Sequence, residues 1–200
     1  MTEILTPGVD LTDAALARFL CMPGALPGVT IFWKLWGSRS HNCHLPESDW
    51  DYLGVYVSPT EQVLSLEPPP ETVVRTEPDF EAHEAGKFCR LLLKGNPSMV
   101  EMLFTEQAFF SLHEFELLRD ERRRFLSIRV LRQYLGYALG QLRRLENQTR
   151  LHTKGGDYNT KWAYHLLRLL EDARLIASGA EPIVYKDGLE RRFLLRVRTE

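Results

Sequence analysis

The chain has 200 residues, 44% of them hydrophobic and 26% charged, with a formal net charge of −2. Nothing in that make-up suggests disorder, and it predicts one globular domain, or one domain with a helical extension, able to bury its own core. No apolar run approaches the ~20 residues of a membrane-spanning helix, and the N-terminus lacks a basic segment followed by an apolar stretch, so a cytoplasmic protein without a membrane partner is expected.

Three cysteines, Cys21, Cys43 and Cys89, without a CxxC pair argue against a disulfide framework or a structural zinc site. His41, Cys43 and His44 have no fourth partner and read as loop residues. Charge is uneven along the chain. Residues 1–110 hold 7 Lys+Arg against 15 Asp+Glu, and residues 111–200 hold 18 against 12. Two readings are open: an acidic, metal-binding half facing a basic half that accepts a polyanion, or a set of solvated helix faces.

In chain order, Thr12 or Asp13 caps a short helix through Leu20, which Pro23, Gly24, Pro27 and Gly28 break. Val29 to Trp36, β-branched and aromatic, reads as a first strand buried on both faces. A short helix is expected from Ser40 to Leu45, then a second strand from Asp49 to Val57 that Pro59 ends. Pro68-Pro69-Pro70 makes a stiff extended connector before a short strand at Thr72 to Thr76. Phe80 to Lys94 has helical periodicity, Gly95 stops it, and Asn96-Pro97 begins an element whose Val100 to Phe104 part fits a strand or a helix. From Ser111 the pattern is helical, to about Leu126, from Ser127 to about Leu151, and from Asn159 to Ser178. Gly155-Gly156 and Gly179 are the breaks, Pro182 to Gly188 reads as a hairpin-like loop, and Leu189 to Val197 is a last amphipathic segment. The fold class is α+β: a mixed sheet with flanking helices in residues 1–110, then a helical region in residues 111–200.

Asp49 and Asp51 carry the chemistry. In an extended strand, side chains at i and i+2 share a face, so the two carboxylates stand side by side and need a hydrogen-bond network or a cation to neutralise them. A hard divalent ion does this. Gly37 allows a tight turn and a close backbone approach, and the free N–H groups of a following short helix suit phosphate oxygens. A phosphate cradle beside a carboxylate pair makes a site for a metal-bound nucleoside triphosphate. Asp79 and Glu81 are either a source of a third carboxylate or acids favoured in a first helical turn. Lys161, His165 and Arg168 lie at i, i+4 and i+7 on one helix face, either as a cationic stripe for a triphosphate tail or as a structural stripe meeting acids of the first half. Arg122-Arg123-Arg124 faces solvent or reaches an RNA backbone.

Gly37-Ser38, the spacer, and the run Ser48-Asp49-Trp50-Asp51 through Val57 resemble the Gly-Ser and DxD motifs of the nucleotidyltransferase superfamily related to DNA polymerase β, in particular a branch associated in some members with RNA-repair genes. Two further stretches, Lys87-Phe88 through Lys94-Gly95-Asn96-Pro97 to Glu101 and Ala163 to Leu170, extend the likeness in the expected order over most of the chain. The resemblance implies a Mg²⁺- or Mn²⁺-dependent nucleotidyltransferase that passes a nucleoside monophosphate from a nucleoside triphosphate to an acceptor hydroxyl, with RNA among the acceptors. It implies that Asp49 and Asp51 hold metal, and that Asp79, with Glu81 in reserve, supplies the third carboxylate. Gly37, Ser38 and Arg39 would then receive phosphate, and Lys161, His165 and Arg168 would attend the triphosphate tail. One position departs from the family pattern: Asn42 stands where a second glycine is usual, and asparagine tolerates a left-handed backbone. The rival expectation is a nucleotidyltransferase-like module that binds nucleotide or RNA without catalysis.

Overall fold

The computed structural model describes residues 26–76, 79–151 and 158–199. The helix expected through Leu20 and the Gly155-Gly156 break lie outside these residues. Five strands, β1 (Val29–Leu35), β2 (Asp51–Val57), β3 (Thr72–Thr76), β4 (Asp79–Glu84) and β5 (Ala108–Ser111), form one mixed sheet in the order β3-β4-β2-β1-β5. β2 and β4 run parallel, with Asp51 opposite Asp79, and the other neighbours are antiparallel. The α+β architecture is the one expected.

Alternation along β2 explains why the centre of the sheet is covered on both faces. Tyr52 and Tyr56 join Trp33, Phe80 and Ala82 in one apolar cluster, while Leu53 and Val55 join Phe32, Phe88 and Leu92 in the other. The larger cluster also takes in Val130, Tyr134, Leu169 and Val184, so sheet and C-terminal helices share one core. Phe32 stacks on Phe115 with ring centroids 3.9 Å apart.

Several elements differ from the expectation. β2 begins at Asp51, not Asp49. The helical run expected from Phe80 divides, because Phe80 and Ala82 alternate into the core as strand β4 and Glu84 then caps α3 (Ala85–Leu93), accepting from the Gly86 N–H at 2.6 Å. Val100 to Phe104 is helix, and β5, a strand of four residues paired to β1, falls where no element is expected.

The remaining helices are α1 (Gly37–Ser40), α2 (Thr60–Val63), α4 (Pro97–Phe104), α5 (His113–Asp120), α6 (Ile128–Leu151), α7 (Thr160–Ala177) and α8 (Gly188–Thr199), with a 3-10 turn at Arg122–Phe125. α1 is shorter and earlier than the expected Ser40 to Leu45 helix. α3 closes on Gly95 at φ 81°, with the Asn96 N–H bonded to Leu91 O and the Gly95 N–H to Leu92 O. Asn96 then caps α4 through Ser98 N–H at 2.9 Å, with Pro97 at the first helical position. The segment before α8 is not a hairpin: it buries Val184 and Lys186, and the Lys186 N–H donates to His41 O at 3.2 Å. Among the described residues, no helix is long and apolar enough to cross a membrane.

Candidate active site

The end of β1 is tied to the start of β2 by the Trp36 N–H, which donates to Asp51 O at 2.7 Å. Gly37 follows at φ +64°, and a Cβ placed on it would stand 2.7 Å from Asp51 Oδ2. The turn therefore lies directly against the Asp51 carboxylate. Ser38 continues into α1, where Ser40 Oγ donates back to Gly37 O at 2.9 Å.

Register in the sheet decides which other acid joins. Asp79 opens β4 opposite Asp51, close enough for its carboxyl to act on that of Asp51. Burial, then the charges of Asp79 and Asp49, raise the Asp51 carboxyl above its ordinary range, while the Lys161 ammonium pulls it down. Asp49, Asp79 and Lys161 thus each lie within electrostatic reach of Asp51. Glu81 does not join the pair; its Oε1 lies 3.5 Å from His83 Nε2. Among the described residues, no group of three or more His, Cys, Asp or Glu is disposed to hold a metal ion. The arrangement is a carboxylate pair with a third acid nearby.

Arg39 has a different task from the one expected. Its Nη2 donates to Ser48 O at 2.7 Å and its Nε to Asp49 O at 3.0 Å, with the guanidinium 3.9 Å over the Trp50 ring. It anchors the segment that carries Asp49, with two of its five N–H donors on loop carbonyls. Asn42 has φ 57°, as its residue type permits, and its side-chain amide donates to Lys186 O at 3.0 Å. A glycine there would supply the conformation without that bond.

A family model described as the RNA repair pathway DNA polymerase beta family, RlaP, matches residues 22–194. The chain belongs to this family. No curated protein and no solved structure matches it.

Within this RlaP chain, the two stretches that extend the resemblance beyond the Gly-Ser and DxD motifs meet in space. Arg168 Nη1 donates to Glu101 Oε1 at 2.5 Å, linking α7 to α4, and lies 3.4 Å from Asp172 Oδ2. Lys186 Nζ bonds to Asp172 at 2.8 Å, and His41 Nε2 lies 3.6 Å from the second Glu101 oxygen. Arg168 is 6% exposed, so its expected place at the triphosphate tail is corrected: it meets acids inside the protein. His165 lies beside Tyr164, with ring centroids 5.0 Å apart. Burial, with the charges of Arg168, Lys161 and Arg198, pushes its imidazole down to about 3, leaving it neutral at physiological pH. Of the stripe, Lys161 alone is exposed and close enough to act on Asp51.

Sequence reasoning left the role of Glu101 open and missed Lys34, which is buried on β1 with its amine pushed down to about 8 by burial. The one signal for either is a charged residue within an otherwise apolar run. Gly37→Ala tests the turn. A side chain at positive φ costs about 1–2 kcal/mol, so thermal unfolding of the variant is expected roughly 2–8 °C lower. An unchanged Tm would show that the turn does not press on Asp51.

Proposed function

We propose that this chain is a metal-dependent nucleotidyltransferase that moves a nucleoside monophosphate from a nucleoside triphosphate to an acceptor hydroxyl, with pyrophosphate as leaving group. The observation that carries the reading is a positive-φ Gly-Ser turn packed on Asp51, which is itself in register with Asp79. Two adjacent carboxylates fit Mg²⁺ or Mn²⁺, since such ions keep several waters and take their other ligands from phosphate. Asp51 and Asp79 would hold the ion, with Asp49 beside them; when bound, it neutralises phosphate charge and polarises the reacting phosphorus. The Gly37 and Ser38 N–H groups and the Ser38 hydroxyl take phosphate oxygens, and Lys161 balances charge on the leaving pyrophosphate. Asp79 accepts the proton of the attacking hydroxyl. Arg39 acts through the loop it holds, by placing Asp49. The family's RNA-repair description supports RNA as the source of the acceptor hydroxyl.

Thermal unfolding with each nucleoside triphosphate, with and without Mg²⁺ or Mn²⁺, tests the reading. Ligand at about 100 times its dissociation constant adds ~2.7 kcal/mol, a rise of roughly 5–10 °C for a chain of this size. The rise should require metal and vanish in Asp49→Ala/Asp51→Ala. No metal-dependent shift with any nucleotide would overturn the assignment.

A further inference from the structure

The arginines of the C-terminal half divide into two groups by whether an acid meets them. Arg122 and Arg123 share Glu181, and Arg124 pairs with Glu121 at 2.6 Å, so every arginine of the Arg-Arg-Arg run has an acid partner within the protein. The arginines of α6 differ. Among the described residues, Arg129, Arg132, Arg143 and Arg144 make no ion pair. At 3.6 residues per turn these four fall within an arc of about 120° and span about 22 Å of helix. The helix's one acid, Glu146, lies outside that arc.

The N-terminal end of this face opens into a cleft of about 300 Å³ between the α3–α4 turn and α6, bordered by Lys94, Asn96, Arg129, Gln133 and Tyr137. Tyr137 is 46% exposed, and its hydroxyl accepts from Asn96 Nδ2 at 3.3 Å, which holds the ring at the cleft wall. Arg129 Nη1 is 3.3 Å from Leu93 O, which leaves its other donors open. Further along the helix, Gly136 and Gly140 have nothing within 4 Å of where a Cβ would stand, so the surface beside Tyr137 is a bare furrow between the arginines.

We propose that this face is a track for single-stranded polynucleotide: the α6 arginines and Lys94 meet successive phosphates, and one base stacks on Tyr137 in the cleft. Unpaired cations spaced along a groove with an exposed aromatic ring are the combination that binds single strands, since phosphates supply the charge and every base has a stacking face. An acidic peptide would use the cations but not the ring. As a place for the acceptor strand, the track rests on the proposed transfer reaction; as a binding surface, it is tested without turnover.

The probe is fluorescein-labelled 12-nucleotide oligouridylate and its deoxy counterpart, read by fluorescence anisotropy between 50 and 200 mM KCl, without nucleotide or divalent metal. Lys94→Glu/Arg132→Glu/Arg144→Glu, all at exposed sites, should weaken binding at least tenfold and lower the salt slope by about 2, at ~0.7 per phosphate contact. Tyr137→Leu should weaken binding about 5- to 100-fold. Circular dichroism on each variant confirms that the helices remain. Binding of the ribose strand, with or without the deoxy strand, supports the track. Wild-type affinity in the triple variant overturns it, as does displacement of the strand by polyglutamate with no effect of Tyr137→Leu. Because no measurement here uses nucleotide or metal, a failed track and a failed transfer reading are told apart.

Discussion

Asp51→Asn is expected to abolish nucleotidyl transfer and, in the presence of a chelator, to make the protein more stable than it was. Loss of a carboxylate from a catalytic metal site removes several kcal/mol of transition-state stabilisation, about a thousandfold or more in rate. The stability gain has a separate cause. Burial and the charges of Asp79 and Asp49 raise the Asp51 carboxyl in the folded protein. A carboxyl raised on folding stabilises while protonated, and that contribution is lost as pH rises through the folded value. Once ionised, Asp51 opposes folding, and asparagine removes that charge. Urea unfolding in EDTA should therefore show the variant more stable at pH 7, with the difference closing towards pH 4. Adding Mg²⁺ should stabilise the unaltered protein and leave the variant unmoved. A variant less stable at pH 7, yet fully active, would mean that the pair is structural.

The second large effect is expected inside the protein. Arg168→Met leaves Glu101 buried without its cation and Asp172 with Lys186 alone, at a cost of about 3–5 kcal/mol and a fall in Tm of roughly 6–20 °C. Glu101→Gln, which keeps shape and some hydrogen bonding, should cost less, and Glu101→Leu/Arg168→Met should recover much of the loss, because an apolar pair of similar size leaves no charge orphaned. The comparison is made by thermal melts and urea midpoints on all three. A fall of under 1 kcal/mol for Arg168→Met would show that water reaches the pair. The damage should extend to the Gly-Ser loop, since His41 beside Glu101 donates from Nδ1 to Val184 O at 3.0 Å, and Arg191 Nε donates to Asn42 O at 2.7 Å.

Local chemistry made much of this protein legible without coordinates. Val29 to Leu35 and Thr72 to Thr76 alternate or branch as strands must, and the Gly95-Asn96-Pro97 stop and start uses residues whose backbone preferences leave few alternatives. Asn159 and Ser178 bracket α7 as its caps. The Gly-Ser turn and the Asp49/Asp51 pair stand out because each is a local pattern with its own physical demand, a positive φ in one case and like-charge relief in the other. The left-handed Asn42 was likewise readable from its residue type.

What the tertiary structure alone decided were matters of register and burial between distant segments. Asp79, not Glu81, faces Asp51 because β4 pairs with β2 in one particular parallel register, and a shift of two residues would have put Glu81 there instead. β5 is a strand only because β1 offers it an edge. Lys161 and Arg168 share a helix face seven residues apart, yet one lies exposed near the carboxylates and the other is buried against Glu101, 67 residues away in the chain. Periodicity names the face a residue occupies; whether that face meets water or an acid inside the core depends on the packing of helices whose positions no local pattern encodes.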